Sequence, residues 1–106
     1  MNALTQLPRI THHALVYESV DDFAAKRAPF REEHLRLISE AHARGELVMA
    51  GGLGNPPDGS LLVFRGASPD AAEAFARRDP YVTQGLITSW TVKPWAVVIG
   101  SRDDDR

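Results

Sequence analysis

The chain has 106 residues, of which 43% are hydrophobic and 25% are charged, and its formal net charge is −2. This length suffices for one domain, and the composition is that of a folded globular protein rather than a disordered one. Acidic and basic residues are interspersed without a basic patch, which argues against a nucleic-acid partner. The absence of cysteine excludes disulfides, thiolate nucleophiles and zinc–thiolate sites. No signal peptide and no membrane-spanning run is recognisable, so we expect one cytoplasmic domain that does not contact a membrane.

The first half of the chain predicts one strand and one long helix. His12 to Tyr17 has the β-branched and aromatic character of a strand, and the polar stretch after it has room for a short helical turn. A helix is predicted from Pro29 to Arg44, with Gly45 just past its end. Apolar residues recur along this helix at helical spacing. They are Phe30, Leu37, Ile38 and Ala41, with Leu35 at the edge of the stripe.

The second half predicts three more strands and a second helix. The strands are Leu47 to Ala50, Leu61 to Phe64, and the long alternating segment Ile87 to Ile99. The glycine- and proline-rich stretch between the first two of these predicts a hairpin loop, in which Gly51 and Gly52 are included.

The second helix has clear start and stop signals. Ser68 is suited to be its N-cap, and the helix is predicted over Pro69 to Arg78. It ends at Asp79 because the residue before a proline is pushed out of the α region. One face of this helix is apolar, formed by Ala72, Phe75 and Ala76.

The order β-α-β-β-α-β predicts a ferredoxin-like α+β fold, an antiparallel sheet with both helices on one face. Pro94 within the last strand argues for an edge position or a bulge. Alternation in that strand places Trp90, Val92, Ala96 and Val98 on one side, and Ile87, Trp95, Val97 and Ile99 on the other. A sheet face that is apolar and uncovered is usually an interaction surface, so we expect a homodimer in which two sheets pack together.

His34 is the first candidate for chemistry. It follows Phe30 and precedes Ile38 by one helical turn each, so it lies on the core-facing stripe, where a polar residue is out of pattern. A structural role, with the ring bonded to a backbone carbonyl, is the more common explanation for a single histidine of this kind. Arg27 and Arg31 precede His34 by seven and three residues, spacings that direct both side chains toward the same pocket entrance as His34. The alternative is that they are solvated surface charges, as most arginines are.

Asp79 is the second candidate. It ends the second helix, where the negative charge of a carboxylate interacts unfavourably with the helix dipole. This unfavourable interaction suggests that Asp79 has a role besides ending the helix. A simple helix stop before Pro80 accounts for it as well. Tyr81 follows and offers a hydroxyl to a pocket.

Other motifs exclude several kinds of site. The glycines around Gly51 do not match a dinucleotide fingerprint, which requires a helix directly after them, but they would let a backbone approach a small ligand. The four histidines show no chelating spacing, so neither a metal site nor a cofactor is predicted. Signatures of serine hydrolases and of phosphate-binding loops are absent from the sequence.

Together these stretches resemble the YCII-related domain family. The resemblance covers His12 to Ile99, and its specificity comes from the order of the motifs rather than from any one of them. The motifs are the segment from Lys26 to Leu35 with its arginines and His34, the segment Gly45 to Gly52, the tripeptide Asp79-Pro80-Tyr81, and the segment Trp90 to Trp95.

The resemblance implies a dimeric α+β barrel of ferredoxin-like subunits. It also implies a cleft in which His34 faces Asp79 as a catalytic pair. The chain departs from the family where many relatives have Ala-Gly-Pro and this sequence has Ala50-Gly51-Gly52. It also has an N-terminal extension, residues 1–9, and a charged tail, residues 101–106. We expect these two segments to flank a single YCII-like domain.

An aspartate bonded to one ring nitrogen of a histidine raises the basicity of the other. A His34–Asp79 dyad would therefore be a general base, and without an evident nucleophile it favours proton abstraction, as in an isomerase or a lyase. Arg27 or Arg31 would hold an anionic group of a small substrate, and Tyr81, Trp90 or Trp95 would form pocket walls. The alternative is a non-catalytic domain that binds a small ligand or a partner through the same pair.

Overall fold

The computed structural model describes residues 9–100 of the chain. Its strands are β1 (His12–Ser19), β2 (Leu47–Leu53), β3 (Gly59–Arg65) and β4 (Ile87–Trp95). Its helices are α1 (Phe23–Lys26), α2 (Arg31–Ala43), α3 (Asp70–Arg78) and α4 (Pro80–Thr83), with a 3-10 turn, Ala28–Phe30, before α2. Within this part of the chain, no helix combines the length and apolar character needed to cross a membrane. The predicted tail and all of the predicted extension except Arg9 lie outside the described residues.

The four strands form one sheet in the order β2-β3-β1-β4, and every neighbouring pair is antiparallel. Residues that alternate along the central strands, such as Leu15 and Tyr17 of β1 and Leu62 and Phe64 of β3, are buried. They pack against buried residues of α2 and α3 in a single core cluster, so both helices cover the same face of the sheet. The prediction of a ferredoxin-like α+β fold is confirmed.

The two long helices bury the stripes that their spacing predicts. In α2 the buried residues are His34, Leu37 and Ala41, and in α3 they are Ala72, Phe75 and Ala76. The helix α2 begins at Arg31 rather than Pro29, since the preceding residues form the 3-10 turn. The helix α3 begins at Asp70, so its N-cap is Pro69 and not Ser68 as predicted, although the Ser68 hydroxyl accepts a hydrogen bond from the backbone N–H of Asp70 (3.1 Å).

The hairpin of β2 and β3 is longer than its sequence indicates. Gly51 and Gly52 pair with Leu61 and Ser60, so both belong to β2 and the prediction that they are loop residues is wrong. Their backbone hydrogen bonds depend on the partner strand β3, and the amino-acid composition around the two glycines does not indicate that this strand pairs with them. At the start of β3, an added Cβ on Gly59 would lie 2.7 Å from the carbonyl oxygen of Tyr17, so the close approach of β1 requires glycine there.

The strand β4 is an edge strand and contains Pro94, as predicted, but it ends at Trp95 instead of Ile99. A shift in its pairing with β1 occurs between Glu18 and Ser19. Ile87 consequently lies in the core cluster, against which Trp90 also packs, and the prediction that these two side chains lie on opposite faces is wrong.

The register also defines the face of the sheet that points away from the helices. Met49, Val63 and Ala14 lie in one row across β2, β3 and β1, and Leu61 and Val16 lie in the next. We call these five residues the open face. Met49, at the edge, is 58% exposed.

Replacing Leu37 by alanine is expected to lower the free energy of unfolding by about 2–5 kcal/mol, because it removes a buried side chain from the contact between α2 and the sheet. Leu35 in the same helix is 42% exposed, and its replacement by alanine should cost less than about 1 kcal/mol. Urea unfolding of both variants measures the difference. Equal losses would mean that the buried face of α2 is misassigned.

Candidate active site

Two elements that are distant in sequence position the central pair of side chains. His34 lies on the buried face of α2, one turn from its start, and Asp79 occupies the junction between α3 and α4. The nitrogen Nδ1 of His34 lies 2.9 Å from Oδ1 of Asp79 and 3.0 Å from Oδ2. The structure therefore brings together the two residues that the family resemblance pairs.

This hydrogen-bonded pair is almost completely removed from solvent. Asp79 is 0% exposed and His34 is 7% exposed. An ionised carboxylate has only acceptors, so the proton of the shared hydrogen bond is carried by Nδ1. The second ring nitrogen, Nε2, is then free in the neutral imidazole to accept a proton.

Asp79 ends α3, as its position before Pro80 predicts, and it also begins the next helix. Its backbone is extended (φ −69°, ψ 123°), and its side chain accepts the backbone N–H of Tyr81 at 3.0 Å. The residue is thus the N-cap of the short helix α4, a position where aspartate is favoured. The sequence did not predict α4, because four residues provide no periodic pattern.

A third donor reaches the same carboxylate from the sheet. The hydroxyl of Tyr17, in β1, donates to Oδ2 of Asp79 at 2.8 Å. Burial, reinforced by the negative charge and the hydrogen bond of Asp79, raises the pKa of the Tyr17 phenol far above its usual range. The sequence analysis missed Tyr17, although a buried tyrosine usually needs a partner for its hydroxyl.

Tyr81 orders the other side of the histidine. Its ring stacks on the His34 imidazole, with centroids 3.8 Å apart and planes inclined by 13°. Its hydroxyl accepts a hydrogen bond from Nη1 of Arg31 at 3.3 Å. The imidazole is therefore held in its plane by stacking and in its orientation by Asp79.

A cavity of about 140 Å³ opens beside this pair. It is lined by His34 and by all four residues predicted to bind a substrate, namely Arg27, Arg31, Gly51 and Tyr81. Ser60 at the start of β3 also lines it, and the sequence analysis missed this residue because it placed the start of that strand at Leu61.

Trp90 and Trp95 do not line this cavity, so the prediction that they form its walls is wrong. Both belong to β4, which is the edge strand opposite β2, whereas the cavity lies on the β2 side of the sheet. Apolar walls are provided instead by Leu35, Ile38 and Leu62.

Two larger clefts lie elsewhere among the described residues. One, of about 210 Å³, separates α2 from α3, and the other, of about 410 Å³, lies between α1 and the β2–β3 loop. Neither is lined by a histidine. Within residues 9–100, no group of three or more histidine, aspartate or glutamate side chains is arranged to hold a metal ion.

The family model for the YCII-related domain matches residues 11–96. The chain belongs to the YCII-related domain family. Protein YciI of Escherichia coli is 34% identical over 86 residues, which span 73% of this chain and 88% of that protein. An uncharacterized protein of Haemophilus influenzae is 27% identical over 96 residues, which span 82% of this chain and 98% of that protein.

A solved structure has a similar fold. It is the 5-chloro-2-hydroxyhydroquinone dehydrochlorinase of Burkholderia phenoliruptrix, in complex with 2,5-dihydroxybenzoquinone. The TM-score is 0.65 at 18% sequence identity, and the match covers 79% of this chain and 92% of that chain. At this identity the similarity establishes the ferredoxin-like fold of this YCII-related chain.

Proposed function

We propose that this YCII-related protein is a small-molecule enzyme that transfers a proton, of the isomerase or lyase type. His34 is the general base and acid, and Asp79 is its ionic partner. The observation that carries this proposal is the 2.9 Å contact between His34 Nδ1 and a buried carboxylate, at the wall of a cavity. A base held in this way keeps Nε2 available for the substrate.

The chemistry of the cavity favours proton transfer over acyl transfer. The chain has no cysteine, and the hydroxyl residues that share the cavity with His34 are Ser60 and Tyr81, whose phenol oxygen is bonded to Arg31. No hydrogen bond joins Ser60 to His34, whereas an activated serine lies within hydrogen-bond reach of its base. Removing an acidic proton requires only the base and a way to hold the substrate.

The lining of the cavity supports a small anionic substrate. Two guanidinium groups, from Arg27 and Arg31, stand at one side, and no acidic side chain lines the cavity. The apolar walls suit a cyclic or carbonyl-bearing compound, whose protons next to a carbonyl are acidic. The structural neighbour is a dehydrochlorinase in complex with a quinone, and loss of hydrogen chloride likewise includes loss of a proton.

A panel of small cyclic carbonyl acids and chlorinated hydroquinones tests this function in deuterated water. NMR detects both product and exchange of substrate protons, so it measures proton removal even without net turnover. We expect exchange or product with the wild-type protein and with Ser60→Ala. Equal loss of activity in Ser60→Ala and His34→Ala would indicate a serine nucleophile. A compound that saturates the cavity without exchange or turnover would indicate a ligand-binding domain.

We also propose that the protein is a homodimer joined through the open face. Each chain has an apolar centre on this face, and both long helices lie on the other side of the sheet. Sedimentation equilibrium is expected to give twice the chain mass at micromolar concentration. Met49→Asp should weaken the dimer, whereas Ala74→Asp, at an exposed position on α3, should not. A wild-type monomer would contradict this prediction.

A further inference from the structure

Tyr17 contacts Asp79 from the core of the protein and does not line the cavity. Tyr17 is 1% exposed and lies in the central strand β1, paired with Ser60 on one side and Trp90 on the other. Its hydroxyl donates to Asp79 Oδ2 at 2.8 Å. Both partners of this hydrogen bond are therefore buried.

The buried carboxylate depends on donors from three elements. They are the Tyr17 hydroxyl of β1, the His34 Nδ1–H of α2 and the Tyr81 backbone N–H of α4. Each donor stabilises the ionised form of Asp79, since burial alone would disfavour a charge. Because the phenol keeps its proton over the whole working range of pH, Tyr17 acts as a permanent donor.

We propose that Tyr17 is a positioning residue that tunes the basicity of His34 through Asp79. Its hydroxyl fixes Oδ2 and withdraws part of the carboxylate charge, so Asp79 binds the imidazolium less tightly than a carboxylate without this donor would. The imidazolium therefore passes a proton from Nε2 more readily than it would beside a carboxylate that lacked the Tyr17 hydrogen bond. The catalytic meaning of this effect rests on the proposed function, but the electrostatic coupling itself does not.

The other groups around His34 either disfavour its positively charged form, as the Tyr17 hydroxyl does, or carry no charge. Arg27 and Arg31 share the cavity with it and disfavour a positive imidazolium. The Tyr81 ring stacks on the imidazole, and the Phe75 ring meets it edge-on at 6.4 Å. Asp79 is the acidic group in hydrogen-bond contact with the imidazole, so a donor placed on Asp79 has a direct effect on the histidine.

The test is an NMR titration of the His34 ring in the full chain, comparing wild type with Tyr17→Phe. Loss of the hydroxyl should move the midpoint of the His34 titration upward by about 0.5–1 pH unit, because the carboxylate regains its full charge. The Nδ1–H resonance should shift downfield as that hydrogen bond strengthens. Tyr81→Phe is the matched control: it also removes a buried tyrosine hydroxyl, but one bonded to Arg31 and not to Asp79.

An unchanged His34 midpoint in a folded Tyr17→Phe protein would overturn the proposal, as would an equal upward shift in Tyr81→Phe. If Tyr17→Phe fails to fold, fluorotyrosine at position 17 in the Tyr81→Phe background replaces it. A fluorinated phenol is a stronger donor, so the midpoint should then move downward, and no movement would again overturn the proposal. These readouts need no substrate, so failure to find turnover leaves the coupling intact and would count only against the proposed function.

Discussion

Replacing His34 by alanine is expected to lower kcat for proton transfer by about 10²–10⁴-fold, the range that a general base contributes. The variant loses the imidazole that lines the cavity, while Arg27 and Arg31 remain to bind the substrate. The substrate concentration at half-saturation should change much less than kcat. The measurement is the initial rate of product formation or deuterium exchange for a substrate identified in the panel.

His42→Ala is the matched control for this loss. His42 belongs to the same helix, α2, but is exposed and does not line the cavity. Its replacement should leave the rate within a factor of about two. If His34→Ala retained wild-type kcat, His34 would be a structural residue and the proton would be removed by another group.

Replacing Asp79 by alanine is expected to lower the free energy of unfolding by about 3–5 kcal/mol, as removal of one partner of a buried ion pair does. The side chain is 0% exposed and accepts from Tyr17, His34 and the Tyr81 backbone. Truncation leaves these three donors buried without their acceptor. Urea unfolding followed by circular dichroism measures the loss.

Asp79→Asn separates charge from hydrogen bonding. The amide keeps the size of the side chain and one oxygen acceptor, so it should cost less stability than alanine while still removing the ionic partner of His34. Asp70→Ala, at an exposed position in the first turn of α3, is the control and should cost less than about 1 kcal/mol. A loss below about 1 kcal/mol in Asp79→Ala would show that the buried network contributes little to folding.

The helical stripes and the helix ends could be read from the sequence. Leu37 and Ala41 are buried because positions four residues apart share a face, whatever lies opposite. The end of α3 at Asp79 follows from steric exclusion by Pro80, which acts on the adjacent residue. Such features depend on neighbours within about one helical turn, so the sequence is sufficient to predict them.

The candidate site was only partly predictable. Arg31 and His34 share a face of α2 because they are three residues apart, whereas Arg27 precedes the 3-10 turn and reaches the same cavity through the path of the chain before α2. The pairing of His34 with Asp79 came from the family resemblance, since nothing in the local sequence of either residue identifies the other. The contact of Tyr17 with Asp79 was not predicted because Tyr17 fits an ordinary strand. The position of Ser60 in the cavity wall was not predicted because the strand was expected to begin at Leu61.

The tertiary structure decided the rest. Tyr17 and Asp79 are 62 positions apart, and they meet because the sheet order places β1 beneath the junction of α3 and α4. The same order puts β4 at the opposite edge from the cavity and so removes Trp90 and Trp95 from it. The sequence by itself determined the order of the four strands and the two long helices and the buried stripes of α2 and α3, through short-range sterics and periodicity. Which polar groups face one another was decided by sheet order and register, which only the packing of the whole chain sets.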